Sequence, residues 1–208
     1  MRNLKIKFLA LTLLCVGSLS AQEAEPEFEI VRQDEKVTLY ERWIFFPGTT
    51  IKSRQIKGVF HTNTTLNRML QTLTDEALLK EWQRNLIEHK LIHKSDSAWS
   101  TYSLYHIPWP LTNQDYLLNY FLKENSDKRI VVWFNHFSND ALEPVRENVD
   151  RKPMIGQWEF EKLSNGKIKV TYTVTSEPVS YPRFVTDRIV RNNLLDTMNT
   201  LIAVAEKK

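Results

Sequence analysis

The sequence predicts an α+β domain in which a curved antiparallel sheet wraps around a long C-terminal helix. Most of the chain consists of strand-like segments joined by short turns, an order that favours antiparallel pairing. Only three segments have helical periodicity: two short ones after the third strand and a long one at the C-terminus. A long amphipathic helix must bury its apolar side, and the predicted sheet offers the surface on which to do so.

Residues 1–21 predict a secretory signal peptide, followed by a linker at 22–27 and one domain at 28–208. Arg2 begins a basic stretch, residues 8–16 are apolar apart from one threonine, and small residues follow. We expect cleavage after Ser20 or Ala21 and a mature protein that is exported, either periplasmic or secreted. N-terminal sequencing of protein from native cells checks this expectation, and material that still begins at Met1 would contradict it.

Loss of this segment would leave a chain with balanced charge and no cysteine. Three basic residues leave with it, so 28 Lys and Arg become 25, against 25 Asp and Glu. This balance does not indicate a nucleic-acid partner. Cys15 is the only cysteine, so an ordinary hydrophobic core must stabilise the mature chain. Bulky Leu14 before it argues against a lipoprotein signal, which needs a small residue there.

Three strands are predicted at 28–32, 36–45 and 51–61. The first helix follows a polar start at Thr62 or Asn63, and Thr74 is predicted to cap the second helix. The apolar side chains of the two helices recur at helical spacing: Leu66, Met69, Leu70, Leu73, Leu78, Leu79 and Trp82.

Six further strands are predicted at 86–94, 99–107, 115–123, 129–137, 157–163 and 167–175. The last of them alternates apolar and polar residues, and Asn165-Gly166 before it is a strong hairpin signal. The stretch RIVVWFNHF is apolar on both faces, which indicates cover on both sides. One cover could be a helix and the other the lining of a cavity.

The long helix is predicted from Pro182 to about Glu206. Asp187 and Arg191 form an i,i+4 pair, which we place on its wetter side. Its apolar side carries Leu194, Leu195, Met198, Leu201, Ile202 and Ala205.

Motifs for catalysis or metal binding are scarce. G-x-S-x-G is absent, and His89 and His93 lie in a predicted strand, where four residues span ~13 Å. Glu143 and Glu147 are paired carboxylates, but they fall in a polar stretch that indicates a loop. No metal or cofactor is therefore expected, and the evidence for an enzyme is thin.

Four stretches occur in the order FEIVRQDEKVTLYER, DEALLKEWQRN, HIPWPLTNQDYLL and SEPVSYPRFV. They resemble START domains, the lipid-transfer domains of the helix-grip fold, and the match covers roughly Phe28 to the C-terminus. Within them, Gln83 stands where the family usually has Asp, Gln114 where it has Arg, Ser180 where it has Gly, and Phe184 where it has Trp. Each motif alone is weak, whereas four at the right spacing are fairly specific for the fold.

The resemblance implies a monomer that binds a lipid or sterol-like molecule between the sheet and the last helix, with transient membrane contact. It also implies that Trp109, between two prolines, shapes a corner joining two cavity strands, or else contacts ligand or membrane. The last helix and the loops near it would be the gate, with Leu195, Met198 and Ile202 separating from the strands. Ser180 would stiffen the hinge before it.

Sterol-binding members often pair an acidic residue with an arginine, at positions that correspond to Thr101 and Tyr120 here. Both positions are uncharged, so we expect a neutral, hydroxyl-lined end and a preference for neutral lipid. Most strand aromatics serve the core, but a buried Tyr or Trp still needs a polar partner. The predicted ligand-contacting residues are Thr101, Ser103, Tyr105, Tyr116, Tyr120, Trp133, Trp158, Tyr172, Leu195, Met198 and Ile202.

Two alternatives remain beside lipid binding and transport. One is a polyketide cyclase or aromatase, because this fold also hosts such enzymes, and the other is a partner-binding domain whose cavity is filled. The fold does not decide among the three functions. Co-purified lipid would favour lipid binding, turnover of a substrate would favour the enzyme, and an interior filled by side chains would favour the partner-binding domain.

Overall fold

The computed structural model describes residues 26–178 and 182–207. The expected signal peptide and Ser180 lie outside these residues, as does most of the expected linker. Ten strands and three helices follow one another as β1 (Glu29–Gln33), β2 (Val37–Phe45), β3 (Lys52–Thr62), α1 (Leu66–Thr74), α2 (Glu76–Trp82), β4 (Leu86–Lys94), β5 (Ala98–Tyr105), β6 (Asn113–Asn125), β7 (Arg129–His136), β8 (Val149–Arg151), β9 (Met154–Lys162), β10 (Ile168–Ser176) and α3 (Arg183–Glu206).

The strands form one curved, open sheet in the order β1-β2-β3-β10-β9-β7-β6-β5-β4, and all neighbours on this path are antiparallel. The two short helices and α3 pack against it, which confirms the predicted fold class. Strand β8 was not predicted. It has three residues, follows a polar loop and pairs with β6 in parallel, so it is too short to show a period.

Helix α1 begins later than predicted. Its N-cap is Thr65, whose hydroxyl oxygen accepts a hydrogen bond from the amide of Arg68 at 3.1 Å. Thr62 and Asn63 instead donate to the carboxylate of Glu206 in α3, at 3.0 and 2.7 Å. The two predicted caps therefore tie the end of α3 to the sheet.

Asp75, rather than Thr74, caps α2. Its carboxylate accepts hydrogen bonds from the amides of Ala77 and Leu78, at 2.9 and 3.1 Å. Thr74 is the last residue of α1, where its hydroxyl donates to the carbonyl oxygen of Leu70. A carboxylate at this position also favours the positive end of the helix dipole.

The second half of α3 lies in the main hydrophobic core, with Leu195, Met198, Leu201 and Ile202 all buried. Gly58 of β3 permits this contact, because a Cβ atom there would lie 2.1 Å from Cε of Met198. The C-terminal half of α3 is therefore fixed by close apolar packing against the sheet.

The first half of α3 is held differently, and the placement of Asp187 and Arg191 on the wetter side was wrong. Arg191 donates two hydrogen bonds to Glu41 of β2, at 3.0 and 2.7 Å. Asp187 accepts one from Arg54 of β3 at 2.7 Å. These four residues form an ion cluster between helix and sheet, and Glu41 is only 4% exposed.

Candidate functional site

Two adjoining chambers lie between the concave face of the sheet and the part of α3 from Arg183 to Met198. The inner chamber has a volume of about 210 Å³ and the outer chamber about 250 Å³. Both are lined by Tyr116, Met154, Tyr172, Leu194 and Thr197, so these residues stand where the chambers meet. Together the chambers fall within the size range that is usual for small-molecule sites.

Aromatic rings form much of the inner wall. Trp99 stacks on Tyr120 with ring centroids 5.1 Å apart, and Trp158 lies 4.2 Å from Tyr172. Phe134 of β7 also stacks on Tyr172, with ring centroids 6.1 Å apart. Such rings offer a large apolar surface, while tyrosine also carries a polar tip.

Hydroxyl groups enter the inner chamber because alternate residues of a strand face the same side. Thr101, Ser103 and Tyr105 of β5 face it in this way, as do Tyr116 and Tyr120 of β6. Several of these hydroxyls already have partners. Tyr105 donates to Gln83, Tyr116 donates to Gln114 at 2.7 Å, and Ser103 pairs with Nδ1 of His89 at 2.8 Å.

Burial keeps the cavity tyrosines protonated. It raises the pKa of Tyr120 to about 12, although a hydrogen bond with Thr101 acts in the opposite direction. Burial also raises the pKa values of Tyr105, Tyr116 and Tyr172, the first of them far above the usual value. At neutral pH these groups therefore serve as hydrogen-bonding hydroxyls and not as bases.

The inner chamber contains no acid–base pair among its described lining residues, since neither a carboxylate nor a histidine lines it. His89 pairs with Ser103 across β4 and β5, so its side chain lies on the same face of the sheet, beside the chamber. Burial lowers the pKa of His89. Nor do the described residues include a cluster of three or more His, Cys, Asp or Glu that could hold a metal ion. This wall can bind and orient a molecule, but it offers no obvious catalytic set.

The outer chamber carries more charged side chains than the inner chamber. Arg54, Lys152, Arg183, Glu177 and Asp187 line it together with apolar residues of α3. Burial lowers the pKa of Arg54, while Glu41 and Asp187 act in the opposite direction and favour its charge. The cavity thus passes from an aromatic chamber to a charged chamber beside the start of α3.

Known structures share this arrangement of a sheet, two short helices and a roofing C-terminal helix. Human StAR-related lipid transfer protein 5 superimposes with a TM-score of 0.74 at 16% identity, covering 86% of each chain. A STAR-related lipid transfer protein of Xanthomonas axonopodis gives 0.72 at 19% identity, covering 86% of this chain and 99% of that one. The chain has the START-domain fold.

Other comparisons are more distant. The Zhui aromatase/cyclase of a Streptomyces species gives a TM-score of 0.56 at 10% identity, covering 74% of this chain and 94% of that one. An uncharacterized protein of Pseudomonas aeruginosa is 28% identical over 131 residues, which are 62% of this chain and 63% of that protein's length. No protein-family model matches the chain. No described helix has the length and apolar character needed to cross a membrane.

The START fold brings eight of the eleven predicted ligand-contacting residues to the inner chamber: Thr101, Ser103, Tyr105, Tyr116, Tyr120, Trp158, Tyr172 and Met198. Leu195 and Ile202 lie in the core beside it and line neither chamber. Trp133 packs against Phe121, and the ammonium of Lys123 lies 5.6 Å from its ring. Phe134, the next residue after Trp133, lies on the side of β7 that faces the cavity and lines the inner chamber.

The proline-bracketed corner stands at the edge of the outer chamber. Ile107 and Leu111 line that chamber, whereas Trp109 between them is 90% exposed. Leu111 closes the turn by donating its amide to the carbonyl oxygen of Pro108 at 3.2 Å. Trp109 is therefore part of the corner and lines neither chamber, and its contact with a membrane stays a prediction.

Sequence reasoning missed three polar residues beside the inner chamber, two that follow α2 and one on α3. Gln83, Arg84 and Asn193 all line the inner chamber. Gln83 and Arg84 belong to the stretch EWQRN that carried part of the START resemblance, so the signal was present. It was overlooked because a residue in a turn has no periodicity that tells which way it faces.

Proposed function

We propose that this protein binds a lipid or a similar hydrophobic molecule in the two chambers, and that it carries this molecule outside the cytoplasm as an exported monomer. The observation that supports binding is the inner chamber, which is apolar and aromatic yet retains hydroxyl groups. Burial of about ten methylene groups would contribute roughly 8 kcal/mol before ordering costs. The hydroxyl groups would set the orientation of the ligand.

The two alternatives have less support. Open chambers do not fit a domain whose cavity is filled by side chains. The similarity to an aromatase/cyclase concerns the fold, and the described inner wall lacks the acid–base residues that such chemistry needs. Turnover of a polyketide-like substrate by the purified protein would reverse this preference.

Thr197→Trp should abolish most ligand binding. Thr197 lies on α3 where the two chambers meet, so an indole there would fill the passage between them. We expect the dissociation constant of the lipid to rise by about tenfold, which corresponds to about 1.4 kcal/mol, so that less lipid is recovered by organic extraction and measured by mass spectrometry.

Thr200→Trp is the matched control. Thr200 lies on the same helix but lines neither chamber, and its hydroxyl donates to the carbonyl oxygen of Asp196. This variant should retain the lipid. Absence of any lipid from the native protein, or equal recovery from both variants, would contradict ligand binding in these chambers.

A further inference from the structure

The turn between α2 and β4 is pinned at three points beside the inner chamber. The amide of Gln83 donates to the carbonyl oxygen of Leu79 at 3.0 Å and ends α2. Asn85 has a φ of 62°, and its carbonyl oxygen accepts from the amide of His106 at 2.8 Å. The side chain of Asn85 also donates to Oδ1 of Asn193 on α3 at 3.1 Å. Arg84, between Gln83 and Asn85, is thus held at the rim of the chamber.

Two side-chain amides at this rim use their oxygen atoms in hydrogen bonds within the protein, whereas their NH₂ groups stay available. A side-chain amide carries one acceptor oxygen and one donor NH₂ group. The oxygen of Gln83 accepts from Tyr105, and that of Asn193 accepts from Asn85. The structure gives no protein partner among the described residues for Nε2 of Gln83 or Nδ2 of Asn193. Both residues line the inner chamber, so these amides have donors available to a ligand there.

Arg84 adds a positive charge to these donors. It is exposed, lines the inner chamber and forms no hydrogen bond or ion pair with another described residue. No carboxylate is present among the described lining residues of the inner chamber. In the outer chamber, by contrast, Arg54 and Arg183 both pair with Asp187. We call Gln83, Arg84 and Asn193 the donor rim.

We propose that the donor rim binds the carboxylate of a long-chain fatty acid, whose chain extends from the aromatic inner chamber into the outer chamber. A carboxylate has only acceptors, and guanidinium and amide donors match it, the guanidinium in a two-pronged geometry. This inference rests on the proposed function and departs from the neutral ligand that the sequence favoured. That expectation considered the positions of Thr101 and Tyr120 and not the turn after α2.

The test compares four ligands of equal chain length on the delipidated full-length mature protein. Binding of hexadecanoic acid, hexadecanol, methyl hexadecanoate and hexadecyl phosphate is measured at neutral pH, below the concentrations at which they form micelles. The acid should bind about tenfold more tightly than the alcohol and the ester, as charge-assisted hydrogen bonds predict. Arg84→Gln should remove most of this preference by weakening the binding of the acid more than that of the alcohol.

Arg188→Gln is the matched control, because Arg188 is also an exposed arginine but lines neither chamber. It should keep the full preference for the acid. Equal binding of acid, alcohol and ester, or equal effects of the two substitutions, would overturn the donor rim while leaving lipid binding intact. Tighter binding of hexadecyl phosphate than of the acid would overturn the carboxylate assignment. Failure of all four ligands to bind would overturn both this inference and the proposed function.

Discussion

Between pH 10 and pH 12 the protein should lose several kcal/mol of folding stability and unfold. In the unfolded chain a tyrosine releases its proton near pH 10, whereas burial raises the folded pKa of Tyr120 to about 12. Burial raises the pKa values of Tyr105, Tyr116 and Tyr172 in the same direction. As the pH rises through 10, only the unfolded state is stabilised by ionisation. Each of these four tyrosines then costs about 1.4 kcal/mol of stability per pH unit.

The loss is comparable to the whole stability of a typical domain. Tyrosinate absorbance and circular dichroism, followed together in an alkaline titration, should therefore show ionisation of these tyrosines and unfolding in one step. Tyr120→Phe removes one titrating group, so its stability should fall less steeply with pH than that of the wild type. Ionisation near pH 10 in a protein that keeps its native dichroism would mean that the cavity is well hydrated.

Much of the fold could be predicted because periodicity and turn chemistry are local. The segment KIKVTYTVT alternates strictly, and it forms β10 between β3 and β9. Helix α3 was predicted to within a residue at each end. The N-cap of α1 was harder to predict, because Thr62, Asn63 and Thr65 are all residue types that cap helices well. The position of Glu206, more than 140 residues away, decides which of them is free to cap α1.

The site could be predicted only in part, because an alternating pattern gives two faces without saying which is concave. In RIVVWFNHF both faces are apolar, so the choice of Trp133 over Phe134 had no basis in the period. β5 was easier, since Thr101, Ser103 and Tyr105 share one face and the resemblance marked it as the cavity side. The ion cluster joins residues up to 150 positions apart, and local patterns carry no information on such pairings.

The first half of α3 is a roof over the chambers. Residues of this segment such as Ile189 and Val190 line the outer chamber, and Phe184 is 83% exposed. Its apolar packing is therefore sparse, and the ion cluster supplies much of its attachment to the sheet. The gate expected from sequence, in which the helix face around Leu195, Met198 and Ile202 separates from the strands, stays a prediction, and these residues lie in the core.

Glu41→Gln should destabilise the protein by about 3 kcal/mol. Glu41 is the most buried member of the ion cluster and binds Arg191 through both oxygens, with Arg54 3.5 Å from one of them. Removing its charge leaves two poorly hydrated guanidinium groups with only Asp187 between them. Loss of one partner of a buried ion pair commonly costs 3–5 kcal/mol, and the lower end applies here because the arginines remain partly exposed. Urea unfolding at neutral pH measures the change.

Glu76→Gln provides the matched control, since Glu76 pairs with Lys80 on the exposed side of α2. Its stability should stay within about 0.5 kcal/mol of the wild type. If the ion cluster also holds the roof closed, Glu41→Gln should release bound fatty acid faster, and Glu76→Gln should not. A Glu41→Gln variant as stable as the control would show that apolar contacts hold the first half of α3. A destabilised variant with unchanged release would place the entrance away from this roof.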